Sequence, residues 1–182
     1  MKRVLMILFA MVLVAGFANA QSTAASSITV GVGADLVVAE GSAGDFGEVA
    51  GGVIYTVAPS GDKVPPGPGN GGAAEVVTPV QWTIDGQGDA AVKITLLLTD
   101  RLIGDGGGLI PVSYTSQSGG WNSLGDPAAT MDLFDPRIGT TVYLDDAGHA
   151  DVYLGAVLSV PTGAPTGTYT SSVALNASYT GF

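Results

Sequence analysis

The sequence predicts an all-β protein with an immunoglobulin-like antiparallel β-sandwich of about eight to nine strands. Glycine, valine, threonine and alanine dominate the chain after its first 20 residues. Clusters of turn-forming residues recur at intervals of about ten residues, a spacing typical of short sandwich strands. No stretch after those first 20 residues combines a 3.6-residue apolar period with helix caps, so no helix is predicted there.

The first 20 residues predict a secretory signal peptide. Lys2 and Arg3 precede the apolar run 4–15, and the small residues of 18–20 follow it. A basic start, an apolar middle and a small-residue end are the marks of a signal that is cleaved, here before Gln21. The apolar run is shorter than the ~20 residues that a membrane span needs. We therefore expect a mature chain without a membrane span in the periplasm, at the cell surface or outside the cell.

Residues 21–33 are predicted to form an extended segment ahead of the sandwich domain, which is placed at 34–182. Apolar residues occupy every even position of 28–38, and this period-two alternation is typical of a strand. Residues 34–39 fit the first strand of the domain itself. The preceding part is nearly uncharged and starts close to the cleavage site, so it is a candidate strand donor for a second copy. The donor candidates are Ile28, Val30 and Val32.

Seven further strands follow from alternation or short apolar runs bounded by turn residues. The turns DGQGD (85–89) and DDAGH (145–149) separate two successive pairs of them, and the second is predicted to be a hairpin. The Pro/Gly stretch 64–72 cannot join a ladder. The predicted strands are 52–58, 75–84, 90–98, 109–115, 140–144, 150–160 and 167–182.

The last predicted strand has one apolar and one polar face. Its apolar residues lie at odd positions, with Ser171 as the one interruption, and its polar residues lie mostly at even ones. A strand of this kind can border a groove that another strand fills. The candidate residues for this acceptor edge are Val173, Leu175, Ala177 and Tyr179.

Charge and cysteine content exclude several functions. Cleavage before Gln21 would leave four basic residues against all 16 acidic ones, a net charge of about −12. Nucleic-acid binding requires Lys and Arg to neutralise phosphates, so nucleic acid is not an expected partner. The chain has no cysteine, which removes disulfides, thiol catalysis and thiolate metal sites.

The sequence contains no catalytic motif, so neither enzymatic activity nor a cofactor is expected. His149 is the one histidine and lies in the predicted turn 145–149, where a solvated turn residue is favoured over a catalyst. Trp82 alternates with apolar neighbours and is predicted to be buried. Trp121 lies in a predicted Gly/Ser-rich loop and is a candidate for an exposed ligand contact.

One group of acidic residues is the better of two weak metal candidates, the other being Asp100 and Asp105. Carboxylate oxygens bind calcium, and three aspartates lie close together in and after DDAGH. Their spacing is not that of an EF-hand loop, which favours a charged turn over a metal site. These residues are Asp145, Asp146 and Asp151.

Several stretches resemble exported bacterial fimbria-like β-sandwich domains of unknown function that are related to spore coat U-type pilins. The stretch ADLVVAEGSAGDFGEVAGG (34–52) looks like the "DFG-x-V" opening of that family, and DAAVKITL (89–96) follows in the same order. Gly155, Leu158, Val160 and Pro161 correspond to its "G-x-L-x-V-P" strand, with one residue more between the glycine and the leucine. Gly167 and Tyr169 match its "G-x-Y", ahead of a final alternating strand with an aromatic end. The chain departs from the family in lacking the usual disulfide and in carrying the loop 64–72.

These observations together predict a non-enzymatic structural or adhesive protein of the bacterial cell surface. The resemblance implies a fimbria- or pilin-like subunit that assembles by β-strand addition, with further copies of itself or a periplasmic chaperone as partners. A monomeric secreted module that binds glycan or protein is one alternative, and a small outer-membrane β-barrel is another. The barrel is disfavoured because Phe182 is out of phase with the apolar face of the last strand.

Overall fold

Fourteen β-strands make up the part of the computed structural model that is described, residues 34–68 and 77–180. These residues belong to one unit that spans 33–182. None of them lies in a helix, and these ranges contain no helix that is long and apolar enough to cross a membrane. The strands are β1 (Val37–Ser42), β2 (Ile54–Val57), β3 (Lys63–Val64), β4 (Val80–Asp85), β5 (Ala91–Leu97), β6 (Arg101–Gly104), β7 (Leu109–Ser113), β8 (Gly119–Asn122), β9 (Asp132–Phe134), β10 (Thr140–Tyr143), β11 (His149–Leu154), β12 (Ala156–Ser159), β13 (Tyr169–Thr170) and β14 (Ala174–Tyr179).

The strands form three antiparallel sheets, each of which is open and has two edge strands. The five-stranded sheet has the order β1-β4-β11-β8-β9, and the three-stranded sheet has the order β10-β5-β14. The six-stranded sheet has the order β13-β6-β7-β12-β2-β3. This arrangement confirms the predicted all-β, sandwich-like fold.

The first core brings together side chains of the five-stranded and three-stranded sheets. Alternate residues of β4 and β5 point into it, so Ile84, Val92 and Ile94 are fully buried. Trp82 is 6% exposed, which confirms its predicted place in the core. The other buried members are Phe134, Val142, Leu144, Ala150, Val152, Leu154 and Leu175.

A second core lies on the inner face of the six-stranded sheet. Its largest member, Tyr55, is 2% exposed, and its hydroxyl accepts a hydrogen bond from the main-chain N–H of Ala50. Tyr114 packs against both cores and so joins them. The other buried members are Ile110, Val112, Ala156, Leu158 and Val160.

The chain passes directly from the first core to the second at Gly155. The predicted strand 150–160 is therefore two strands, because β11 belongs to the five-stranded sheet and β12 to the six-stranded sheet. A Cβ atom at Gly155 would overlap the carbonyl oxygen of Val57 and the main chain of Ala58. Only glycine allows this close approach of two main chains.

The strand count exceeds the prediction for two reasons. The predicted strand 167–182 is divided into β13 and β14, which belong to different sheets. Four short strands of two to four residues, β3, β6, β8 and β9, were not predicted because they are too short to show a period. Of the alternating residues 28–38, those at 28–33 lie outside the described ranges, and residues 34–36 of the predicted first strand precede β1.

The two predicted turns do form, but DDAGH is not a hairpin. β10 belongs to the three-stranded sheet and β11 to the five-stranded sheet, so the turn between them crosses from one layer to the other. The turn DGQGD joins β4 to β5 in the same way. The two turns lie side by side, since Gly86 donates its N–H to Gly148 O (2.8 Å) and Asp89 donates to Asp145 O (2.9 Å).

The close approach at Gly155 leads to a testable prediction. We expect Gly155→Ala to lower the free energy of unfolding by about 3 kcal/mol, because the clash is with main-chain atoms that cannot rotate away. Gly106→Ala is the control, since a Cβ atom there meets nothing within 4 Å, and it should change the value by less than about 0.5 kcal/mol. Urea unfolding of both variants gives the two values, and equal stabilities would contradict the interpretation.

Candidate functional site

The candidate acceptor residues lie together at one edge of the three-stranded sheet. β14 pairs with β5 from Ala174 opposite Leu97 to Tyr179 opposite Val92, and no described strand pairs with its other side. Leu175 is 9% exposed, and Val173, Ala177 and Tyr179 are partly buried against the first core. The even-numbered residues of β14 are exposed, so the predicted division into an apolar and a polar face is confirmed.

The register of β14 sets the direction of its peptide groups. Thr180 donates its N–H to Ala91 O (3.0 Å), so the residues of β14 that exchange hydrogen bonds with β5 are the even-numbered ones. Hydrogen bonding alternates along an antiparallel pair. The N–H and C=O groups of Leu175 and Ala177 therefore point away from β5, towards the open side of the strand, while their side chains enter the core.

Among the six edge strands of the described residues, β14 alone carries none of the usual protective features. Sheet edges are usually protected by charges, proline, bulges or short length. β1 carries Glu40 and a bulge after it, and β9 has three residues, including Asp132. β3 and β13 have two residues each, and β10 has four. β14 has six residues with no charge, proline or bulge.

The candidate donor residues cannot be placed. Ile28, Val30 and Val32 lie outside the described residues, as do the predicted signal peptide and Phe182. The relation between a donor strand and β14 therefore remains a prediction from the sequence.

Tyr179 connects the end of β14 to two other parts of the chain. Its hydroxyl accepts a hydrogen bond from the main-chain N–H of Gln87 (2.8 Å) and donates one to the carbonyl oxygen of Ala34 (3.0 Å). The neighbouring Gly86 allows this approach, because a Cβ atom there would overlap the Tyr179 hydroxyl. The hydroxyl thus fixes the end of the candidate acceptor strand to the first described residue of the domain.

A second polar cluster is centred on His149, and here the sequence interpretation is wrong. His149 is the first residue of β11, and its side chain is 34% exposed. Its Nδ1 lies 2.9 Å from Asp85 Oδ1, and its Nε2 lies 2.9 Å from Asp151 Oδ2. His149 is therefore a paired side chain that links two strands, and not a solvated turn residue.

The surroundings of His149 favour its charged form. The hydrogen bond to Asp85 raises the pKa of His149 most strongly, burial opposes this, and Asp151 raises it further. Ionised carboxylates only accept hydrogen bonds, so two short contacts require a hydrogen on each ring nitrogen.

Asp151 ties the His149 cluster to the loop after β8. Its carboxylate is 1% exposed and accepts hydrogen bonds from Gln81 Nε2 (3.0 Å) and from the N–H of Gly125 (2.9 Å). On the same face, burial and the charges of Asp151 and Asp126 raise the pKa of Tyr153 to about 12. The phenol of Tyr153 is therefore neutral at physiological pH.

The three calcium candidates do not converge on one site. Asp145 Oδ1 accepts the N–H of His149 (2.8 Å) and so closes its turn, Asp146 is exposed, and Asp151 belongs to the buried cluster. No group of three His, Asp or Glu side chains within the described ranges is arranged to hold a metal ion.

Trp121 lies in a strand, which corrects the prediction of a loop. β8 pairs with β11 on one side and β9 on the other, so its two glycines belong to a ladder. The indole is half-buried against the first core, and its ring centroid lies 6.5 Å from that of Tyr143. Trp121 thereby packs beside the edge strand β10, and the ring of Tyr143 is the more exposed of the two, at 60%.

No protein-family model matches the chain, and no curated protein matches it.

The pairing of His149 predicts a pH dependence of stability. Its folded pKa is raised above the ordinary 6.5, so its contribution is fully present below that value and is lost as the pH rises through the folded pKa. We expect the difference in unfolding free energy between wild type and His149→Gln to shrink between about pH 6 and about pH 9. Urea unfolding at both pH values gives this difference, and a difference that grows with pH would contradict the assignment.

Proposed function

We propose that the protein is an exported, non-enzymatic structural subunit of the bacterial cell surface that assembles by β-strand addition. The observation that carries the proposal is the unblocked edge of β14, which is the longest uncharged edge in the described part of the fold. An extended segment that adds to such an edge gains main-chain hydrogen bonds, and its alternate side chains gain contacts with the core.

The acceptor has the two properties that strand addition needs. The peptide groups of Leu175 and Ala177 are directed to the open side, where they can bond an incoming strand. Beside them, Val173, Ala177 and Leu36 are partly buried side chains at the margin of the first core. Apolar residues of a donor strand would complete the burial of this margin.

Residues 21–33 of a second copy are the proposed donor. Ile28, Val30 and Val32 alternate with small or polar residues, so one face of the segment would lie on the core margin while the other faced solvent. Gly31 and Gly33 would allow close approach of the two main chains. Because the chain has no cysteine, such an assembly would be held together without covalent bonds.

A second candidate function is a monomeric secreted module that binds glycan or protein. One observation favours it, the aromatic pair of Trp121 and the exposed Tyr143, since exposed aromatic rings stack on the apolar faces of ligands. This candidate would be supported if the chain proved to be a monomer and if substitutions in β14 left its ligand binding unchanged.

A proline on the open side of β14 tests the proposed function. We expect Ala177→Pro to reduce assembly at least about tenfold, because it removes an N–H that faces the open side while sparing the hydrogen bonds to β5. Deletion of residues 21–33, with 1–20 retained, should reduce assembly to the same extent. The measurement is the fraction of exported protein in SDS-resistant oligomers on unboiled gels.

Two controls complete this test. Asn176→Ala changes an exposed side chain on the polar face of the same strand and should leave assembly unchanged. The free energy of unfolding of the Ala177→Pro monomer, measured in urea, should lie within about 1.5 kcal/mol of the wild-type value. Such a value would show that the fold is retained. A folded Ala177→Pro variant that assembled as well as wild type would overturn the proposal.

A further inference from the structure

A continuous series of hydrogen bonds joins His149 to the start of the domain. His149 contacts Asp85, and the adjacent Gly86 donates its N–H to Gly148 O (2.8 Å). The next residue, Gln87, donates its N–H to the Tyr179 hydroxyl, which donates to Ala34 O. Successive members of the series are joined either by a hydrogen bond or by the peptide bond between neighbouring residues. The series ends at Ala34, the residue that follows 21–33.

The first step of this series depends on the protonation of His149. Both ring nitrogens face carboxylate oxygens at 2.9 Å. A neutral imidazole carries one N–H, so one of the two carboxylates would then face a nitrogen lone pair. Asp151 is buried and has two further donors that fix it, Gln81 and Gly125, whereas Asp85 is 59% exposed. The contact that is given up on deprotonation is therefore the one to Asp85.

The charged groups that face His149 are all acidic. Asp85 on β4 and Asp151 on β11 itself contact the two ring nitrogens. Asp145 lies in the preceding turn, and its carboxylate accepts the main-chain N–H of His149. The neighbour of Asp85 on β1 is the apolar Val37, and the loop after β8 contributes the N–H of Gly125 to Asp151. Asp85 and Asp151 both contact the ring and favour the imidazolium, so deprotonation of His149 is the change that weakens the arrangement.

We propose that the paired turns form a pH-dependent latch, which holds Ala34 against the end of β14 while His149 is protonated and loosens when His149 is neutral. The latch consists of Asp85–Gln87, Gly148–His149, Tyr179 and Ala34. Loss of the Asp85 contact removes one of the bonds that hold the turn 85–89, beside its main-chain bonds to Gly148 and Asp145. The N–H of Gln87, which contacts the Tyr179 hydroxyl, is then held less firmly. The turn would thus have two arrangements, a held one while His149 is protonated and a looser one while His149 is neutral.

The latch has a consequence that rests on the proposed function. Residues 21–33 are covalently attached ahead of Ala34, so the latch would fix the point from which a donor segment leaves its own domain, beside its own acceptor strand. Loosening at higher pH would release that point and change the rate at which copies assemble. The latch itself can be measured in a monomer, independently of any assembly.

The test is amide hydrogen exchange of the exported protein between about pH 6 and about pH 9, with protection factors corrected for intrinsic exchange. We expect the protection of the Gly86 and Gln87 amides to fall at least about threefold over this range in wild type, and to stay constant in His149→Gln. The ¹³C shift of the Ala34 carbonyl should move with the same midpoint. The internal control is the Val112 amide, which donates to Asp100 O in another part of the fold.

Tyr179→Phe separates the steps of the series. This variant should lose protection at Gln87 at every pH while Gly86 keeps its pH dependence, because only the Gln87 bond goes to the hydroxyl. The latch would be overturned if protection of the Gly86 and Gln87 amides did not change with pH in wild type. It would also be overturned if that protection changed equally in His149→Gln. A protein that shows the latch but never assembles would refute the proposed function alone.

Discussion

The rest of the structure depends on one constraint: β14 fills the first core with its side chains but has a described strand on only one of its sides. Leu175 is buried in the core, while the peptide groups of Leu175 and Ala177 point to the side of β14 on which no described strand lies. The other edges avoid the problem by being short, charged or bulged. Among the described strands, β14 is therefore the edge best suited to pair with a further strand.

The turns at one end of the sandwich supply the second organising feature. Because DGQGD and DDAGH both cross between layers, they meet each other, and hydrogen bonds between them leave little freedom to either. The acidic side chains of this end would repel one another, and His149 lies between two of them. The positive charge of His149 offsets this repulsion, and that charge is lost as the pH rises through its raised pKa.

The sequence predicted the side-chain alternation but not the exchange of strands between sheets. Alternation placed Trp82 and the odd-numbered residues of β14 correctly, because a strand with one buried face has a period of two. Alternation could not show that the chain enters another sheet at Gly155. A single glycine in an apolar run gives the same pattern whether the strand continues in one sheet or crosses to a second one. Trp121 was misplaced because Gly119 and Gly120 suggested a loop, whereas pairing on both sides makes them a strand. The role of His149 depends on Asp85, which is 64 residues away in the sequence.

The central claim is that the open side of β14 receives a strand from another copy. The most direct measurement is a gel of surface material from the native host, run with and without boiling and probed for this protein. The account predicts a ladder of oligomers that collapses to one band on boiling, because no cysteine is present to link the copies covalently. A single monomer band in both lanes would contradict it.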